Sequence, residues 1–138
     1  MPRKRKKKKP PSDEQVLDEL ARNICWITHD YTCAKCGRRP IKNAHHAFSR
    51  SYRGDGVRWD QRNLVNFCYA CHIHWAEVKH EEFRMWFIEK YGKKRWETIK
   101  TMALQGRKLT KEEKKSLIDK YTRQLKRLGG NDEFGGLL

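Results

Sequence analysis

Two Cys-x-x-Cys pairs, Cys33/Cys36 and Cys68/Cys71, bracket residues 37–67 of this 138-residue chain. No other feature restricts the fold as much. Two thiolates spaced by two residues on a turn can both reach one tetrahedral cation, and two such pairs complete a four-cysteine zinc site. A closed site has no open position, so a structural Zn²⁺ is expected, pinning the ends of the intervening segment together. Gly37, directly after Cys36, lets the backbone fold around the ion. A thioredoxin-like redox motif is disfavoured because neither pair sits in a βαβ pattern. The fifth cysteine, Cys25, falls within an amphipathic helical pattern and reads as a small core residue.

Composition narrows the function classes. The chain has 32 Lys+Arg against 17 Asp+Glu, a net charge of +15. Residues 3–9 are all basic and end at Pro10 and Pro11, so residues 1–11 are expected to be a disordered arm. Without that arm the rest is still basic. A polyanion partner follows, with nucleic acid ahead of an anionic membrane surface or a merely solvated face. The arm itself carries little sequence information, because phosphate contacts position a protein without reading bases. No run of about 20 apolar residues exists, which excludes a membrane span. No apolar segment follows the basic start, so a secretory signal is not expected and a reducing, cytoplasmic location is.

Helix signals recur along the chain. Ser12 with Gln15 is a capping box, followed by Val16, Leu20, Ile24 and Ile27, predicting a helix over 13–28. Thr110 with Glu113 is a second, opening a helix through about 128 with the stripe Leu117, Ile118, Tyr121, Leu125 and Leu128. Between them, a helix over 69–78 should place Cys71, Trp75 and Val78 on one face. Phe83, Trp86, Phe87 and Tyr91 then lead to a Gly92 cap, and Trp96, Ile99, Met102 and Ala103 to Gly106. Residues 31–67 are loop-rich. A short strand is expected over 41–48, with Val57 and Trp59 beginning a return strand. Residues 131–138 read as a flexible tail.

Within this frame stand His45-His46, Asn63-Leu64-Val65 and Cys68-x-x-Cys71-His72. Taken together and in this order, they resemble the HNH endonucleases of the ββα-metal (His-Me finger) class that carry a zinc site. The resemblance covers about residues 30–80. Residues 57–71, followed by 83–92, look closest to phage NinG/Rap-type recombination nucleases, which act on branched or recombination DNA. The fold class it implies is α+β: a small ββα-metal HNH core with a four-cysteine zinc site, flanked by an N-terminal helix and C-terminal helices. The expected organisation is a basic arm (1–11), a nuclease domain with its N-terminal helix (12–106), a basic C-terminal helix (107–130) and a tail (131–138).

The resemblance also implies roles. His45 matches a ligand of the catalytic metal and His46 the general base. Neighbouring strand residues face opposite ways, so one imidazole can bind metal while the next meets water. Asn63 matches the middle motif residue, bracing the loop that orients the base. His72 matches the last ligand. His74 competes for that role, but on an α-helix the two lie about 200° apart and cannot share one ion. Imidazole ligands admit Mg²⁺ or Mn²⁺ and also Ni²⁺ or Zn²⁺, and products with 5′-phosphate and 3′-hydroxyl ends are implied. Arg50, Arg53, Arg58 and Arg62 flank the centre and are candidate phosphate clamps. Tyr52 and Trp59 can stack on an unpaired base or belong to the core; core is preferred for Trp59. Two other readings stay open: a zinc-ribbon nucleic-acid-binding module without catalysis, and an interaction adaptor in a phage assembly. DNA is the expected partner in the enzymatic reading, and junction cleavage would imply a dimer.

Overall fold

The computed structural model describes residues 2–49 and 54–129. Along them run α1 (Asp13–Thr28), β1 (Ala44–His46), a 3₁₀ turn (Gln61–Asn63), β2 (Leu64–Asn66), a π-helix (Ala70–Ala76), α2 (His80–Tyr91), α3 (Lys93–Gln105) and α4 (Lys111–Arg127). The chain is mostly helical around a small two-stranded antiparallel sheet. Residues 2–11 carry no regular structure and are exposed. Among the described residues no helix is long and apolar enough to cross a membrane.

The helix starts follow from their caps. Ser12 Oγ accepts the Gln15 N–H at 3.2 Å, while Gln15 Oε1 accepts the Ser12 N–H at 2.9 Å. Thr110 and Glu113 repeat the arrangement at 3.1 and 3.3 Å. Each such cap stabilises its helix by about 1 kcal/mol. Gly92, at φ 96°, ends α2 and opens α3 in a backbone region that side chains rarely adopt, which glycine allows.

The hairpin lies between two apolar clusters. Its register pairs Ala44 with Asn66, His45 with Val65 and His46 with Leu64. Because side chains alternate across a sheet, Leu64 and Val65 point opposite ways. Leu64 joins Trp59, Tyr121, Leu125 and the apolar stripe of α1. Val65 joins Phe67, Phe83, Phe87, Trp96 and Ile99 from the α2–α3 side. All three residues of β2 are buried, which explains why this strand reads as a continuous rather than an alternating segment. Cys25 is fully buried in the α1–α4 cluster and stands outside the cysteine site.

Three local expectations are corrected. The strand predicted over 41–48 shrinks to Ala44–His46. On one side the Ile41 N–H is drawn to the Tyr31 carbonyl; on the other the Phe48 N–H is taken by the Asn63 side chain. Val57 and Trp59 do not begin a return strand. They lie in a turn closed by Arg58 N–H to Asp55 O and Asp60 N–H to Val57 O, both 3.3 Å, and the return strand is β2. Val78 does not share a buried face with Cys71 and Trp75: it is 68% exposed, because the helix ends at Ala76 and is wound wider than an α-helix. Arg50, Tyr52, Arg53 and the tail 131–138 lie outside the described residues.

Candidate metal centres and groove

Cys33, Cys36, Cys68 and Cys71 converge, their sulfurs all within 4.8 Å of one another. Cys36 Sγ and Cys68 Sγ are 3.6 Å apart. Four sulfurs at about 2.3 Å from a tetrahedral Zn²⁺ would lie about 3.8 Å apart, so the donor set fits that ion. The first pair sits on a tight turn in which the Gly37 N–H bonds the Cys33 carbonyl at 3.0 Å, with Gly37 at φ 79°. Ala34 N–H bonds the Asn66 carbonyl at 2.8 Å and seats this turn against β2. The second pair spans the end of the sheet and the start of the π-helix. Burial raises the Cys33 thiol, but the backbone amides of Cys36, Cys68 and Lys35 outweigh it and bring it down to about 6. Burial and the neighbouring thiols push Cys71 up instead. Such a cluster holds its negative charge poorly without a cation.

A second cluster joins His45, His72 and Glu77. His45 Nδ1 lies 3.5 Å from Glu77 Oε1, and His72 Nε2 lies 3.2 Å from the same oxygen. The two imidazole rings meet edge-on with centroids 4.8 Å apart. His45 is buried between Phe67 and Phe83, and its Nδ1 has no hydrogen-bond partner. Burial, followed by the positive potential of His72, His46 and His80, lowers its pKa to about 3. The ring is therefore neutral near pH 7, so the 3.5 Å approach to Glu77 is not an ion pair. A neutral imidazole with an orphaned, buried nitrogen is the ligand form. Donors about 2.0–2.2 Å from a shared ion lie about 3.0–3.5 Å apart, and the His–Glu spacings match. Two imidazoles and one carboxylate suit Mn²⁺, Ni²⁺ or Zn²⁺, and Mg²⁺ where water and phosphate supply further oxygens.

Glu77 was not foreseen from the sequence. On an α-helix, residues five apart point about 140° away from each other. Here the Glu77 N–H bonds the His72 carbonyl at 3.0 Å, a π-type closure that stacks the two residues. No 3.6-residue pattern could have paired them. His74 turns outward, exposed against the Tyr69 ring with centroids 5.5 Å apart. It is His72 that faces His45.

His46 points to the other face of the hairpin. Its Nε2 lies 3.0 Å from the Arg58 carbonyl. A carbonyl oxygen only accepts, so Nε2 carries the proton and Nδ1 of the neutral ring is the basic nitrogen. Asn63 is fully buried: its Oδ1 accepts the Phe48 N–H at 2.7 Å, and its Nδ2 donates to the carbonyls of Phe48 and Val57 at 2.9 and 3.0 Å. It thus ties the segment after β1 to the turn that carries the Arg58 carbonyl.

A groove of about 830 Å³ holds both histidines of the pair together with His72, Glu77, Arg58 and Arg84. Of the four arginines proposed as clamps, Arg50 and Arg53 lie outside the described residues. Arg58 lines this groove, but its guanidinium is forked onto Asp18. Arg62 is forked onto Asp60 and lines a different groove beside Lys120 and Tyr121.

Residues 2–131 match the family described as "NinG: Bacteriophage Lambda NinG protein". No curated protein and no solved structure matches the chain. With the match spanning nearly the whole sequence, the chain belongs to the NinG family of phage proteins.

Proposed function

We propose that this chain is a metal-dependent HNH DNA endonuclease working in phage recombination or DNA processing, with the hairpin and the π-helix as its ββα-metal core. The observation that carries this reading is the division of labour across one strand. His45 turns an orphaned nitrogen toward His72 and Glu77, while its neighbour His46 is held by a carbonyl in a single tautomer.

Zn²⁺ on the four cysteines is structural in this reading. His45, His72 and Glu77 would hold a divalent cation, Mg²⁺ or Mn²⁺ foremost, which when bound supplies positive charge to the phosphate oxygens and to the departing 3′ oxygen. His46 Nδ1 takes the proton of a water as that water's oxygen attacks phosphorus in line. The P–O3′ bond breaks, the departing 3′ oxygen takes a proton from solvent water, and the ends left are a 5′-phosphate and a 3′-hydroxyl. Asn63 acts on this step through the backbone it braces and does not touch substrate. The basic run 3–9 adds sequence-independent affinity for the polyanion.

Nicking of supercoiled plasmid in Mg²⁺ or Mn²⁺ tests the reading. His46→Ala should lower the rate by at least about 10²-fold while DNA binding stays within a few-fold. Metal-independent binding with no cleavage by the wild type would leave a zinc-bearing DNA-binding module. A panel of duplex, single strand, flap and four-way junction tests the substrate class. Preferential cutting of branched forms supports the recombination role, and equal cutting of all removes it.

A further inference from the structure

We infer that Asp18, on the N-terminal helix, is a positioning residue for His46. This rests on His46 being the general base. The carbonyl that fixes the His46 tautomer belongs to Arg58, in a turn whose own backbone bonds are both long, 3.3 Å. Backbone bonds secure only its ends, Asp55 N–H to the Arg107 carbonyl at 2.8 Å and Asn63 N–H to the Asp60 carbonyl at 2.9 Å, and side chains hold its middle. Asn63 fixes the turn at the Val57 carbonyl. Asp18 fixes it at the next two residues: Oδ1 accepts from Arg58 Nε at 3.0 Å and Trp59 Nε1 at 2.8 Å, and Oδ2 accepts from Arg58 Nη2 at 2.8 Å.

One carboxylate thus grips the side chains on both sides of the Arg58–Trp59 peptide, whose carbonyl receives His46 Nε2–H. The grip is sheltered: the Asp18 side chain is 15% exposed and Trp59 is buried. Helix α1 is itself anchored by its apolar face, so it offers a fixed point from which to hold the turn. Loosening the carbonyl would weaken the acceptor that keeps the proton on Nε2, and the base would be impaired without any change at the metal ligands. This also gives the Arg58 side chain a task other than clamping phosphate.

The test is Asp18→Asn, which keeps one acceptor for Trp59 and puts an amide against the guanidinium. Arg58→Lys, which keeps the charge and loses the fork, is the second variant. Both are made in the full chain with zinc bound. Long-range ¹H–¹⁵N correlation of the histidine rings reads the tautomer directly. The wild type should show His46 with Nε2 protonated, and both variants a mixture of tautomers. In DNA cleavage at a temperature where each variant is folded, kcat should fall about 10- to 100-fold with KM nearly unchanged. A tautomer unchanged in both variants, an unchanged kcat, or a loss that follows only KM or melting would overturn the inference. If the wild type cleaves no DNA, the endonuclease reading fails, while the tautomer measurement still decides whether Asp18 holds this ring.

Discussion

Asn63 and Asn66 stand at the two ends of β2, both fully buried, and each carries three hydrogen bonds from its side chain to backbone. Asn63 closes the segment around Phe48 and Val57, next to His46. Asn66 closes the other side, accepting from Asn43 N–H at 3.0 Å and donating to the carbonyls of Thr32 and Ile41 at 3.1 and 3.0 Å. The short strand and the asparagine just before it therefore organise both the groove and the cysteine turn.

Replacing either asparagine should separate these tasks. Each Asn→Ala change strands buried backbone groups and should cost about 2–4 kcal/mol in urea unfolding. Asn66→Ala should also speed zinc release to a chelator, with Asn63→Ala leaving that rate near wild type. Equal release rates would show that the two bridges are not independent.

Thiol reactivity should distinguish Cys25 from the other four cysteines. Burial pushes the Cys25 thiol up to about 12, so it should resist alkylation at pH 8 while the chain is folded. In zinc-loaded protein no cysteine should react quickly. After chelation Cys33, Cys36, Cys68 and Cys71 should react. Cys68→Ser should abolish stoichiometric zinc, and Cys25→Ser should not, as measured by metal analysis of the purified protein.

Glu77 should be a ligand and His74 should not. Glu77→Gln is expected to weaken Mn²⁺ or Ni²⁺ binding by at least about 10-fold in titration calorimetry of zinc-loaded protein. His74→Ala, with its exposed ring turned toward Tyr69, should leave the isotherm unchanged. The reverse pattern would move the site to the outer face of the π-helix.

The Asp60–Arg62 pair should show in acid. Burial raises the Asp60 carboxyl, but the Arg62 guanidinium and amide outweigh it and hold its pKa below the ordinary value. A depressed carboxylate contributes stability that is present above its unfolded pKa, about 3.9, and is lost as pH falls through the folded value. The urea midpoint of wild type should therefore drop more steeply below about pH 4 than that of Asp60→Asn. Parallel curves would mean the fork contributes no net stability.

Much was legible because it depends on local rules. The capping boxes at Ser12 and Thr110 mark their helices without any tertiary help, since the caps satisfy amides within three residues. The two Cys-x-x-Cys turns announce a four-sulfur cluster, because ligand spacing on a turn is set by chain geometry. His45, His46, Asn63 and His72 stand out as a group through the resemblance of their order to the HNH pattern. Other features were hidden because they are made between segments. Val57 and Trp59 have the look of a strand, yet Asp18, some 40 residues away, draws Trp59 into a turn.

What the residues determined alone is the list of donors: four thiolates, neighbouring imidazoles and an excess of positive charge. What only the tertiary structure decided is which donors meet. The wider π-turn stacks Glu77 on His72, the two faces of β2 divide one core into two, and a carbonyl of the 55–60 turn fixes the proton of His46. The physical reason is that periodicity predicts a face only for regular structure. At this site the helix is irregular, and hydrogen bonds between distant segments, rather than spacing along the chain, set where each side chain points.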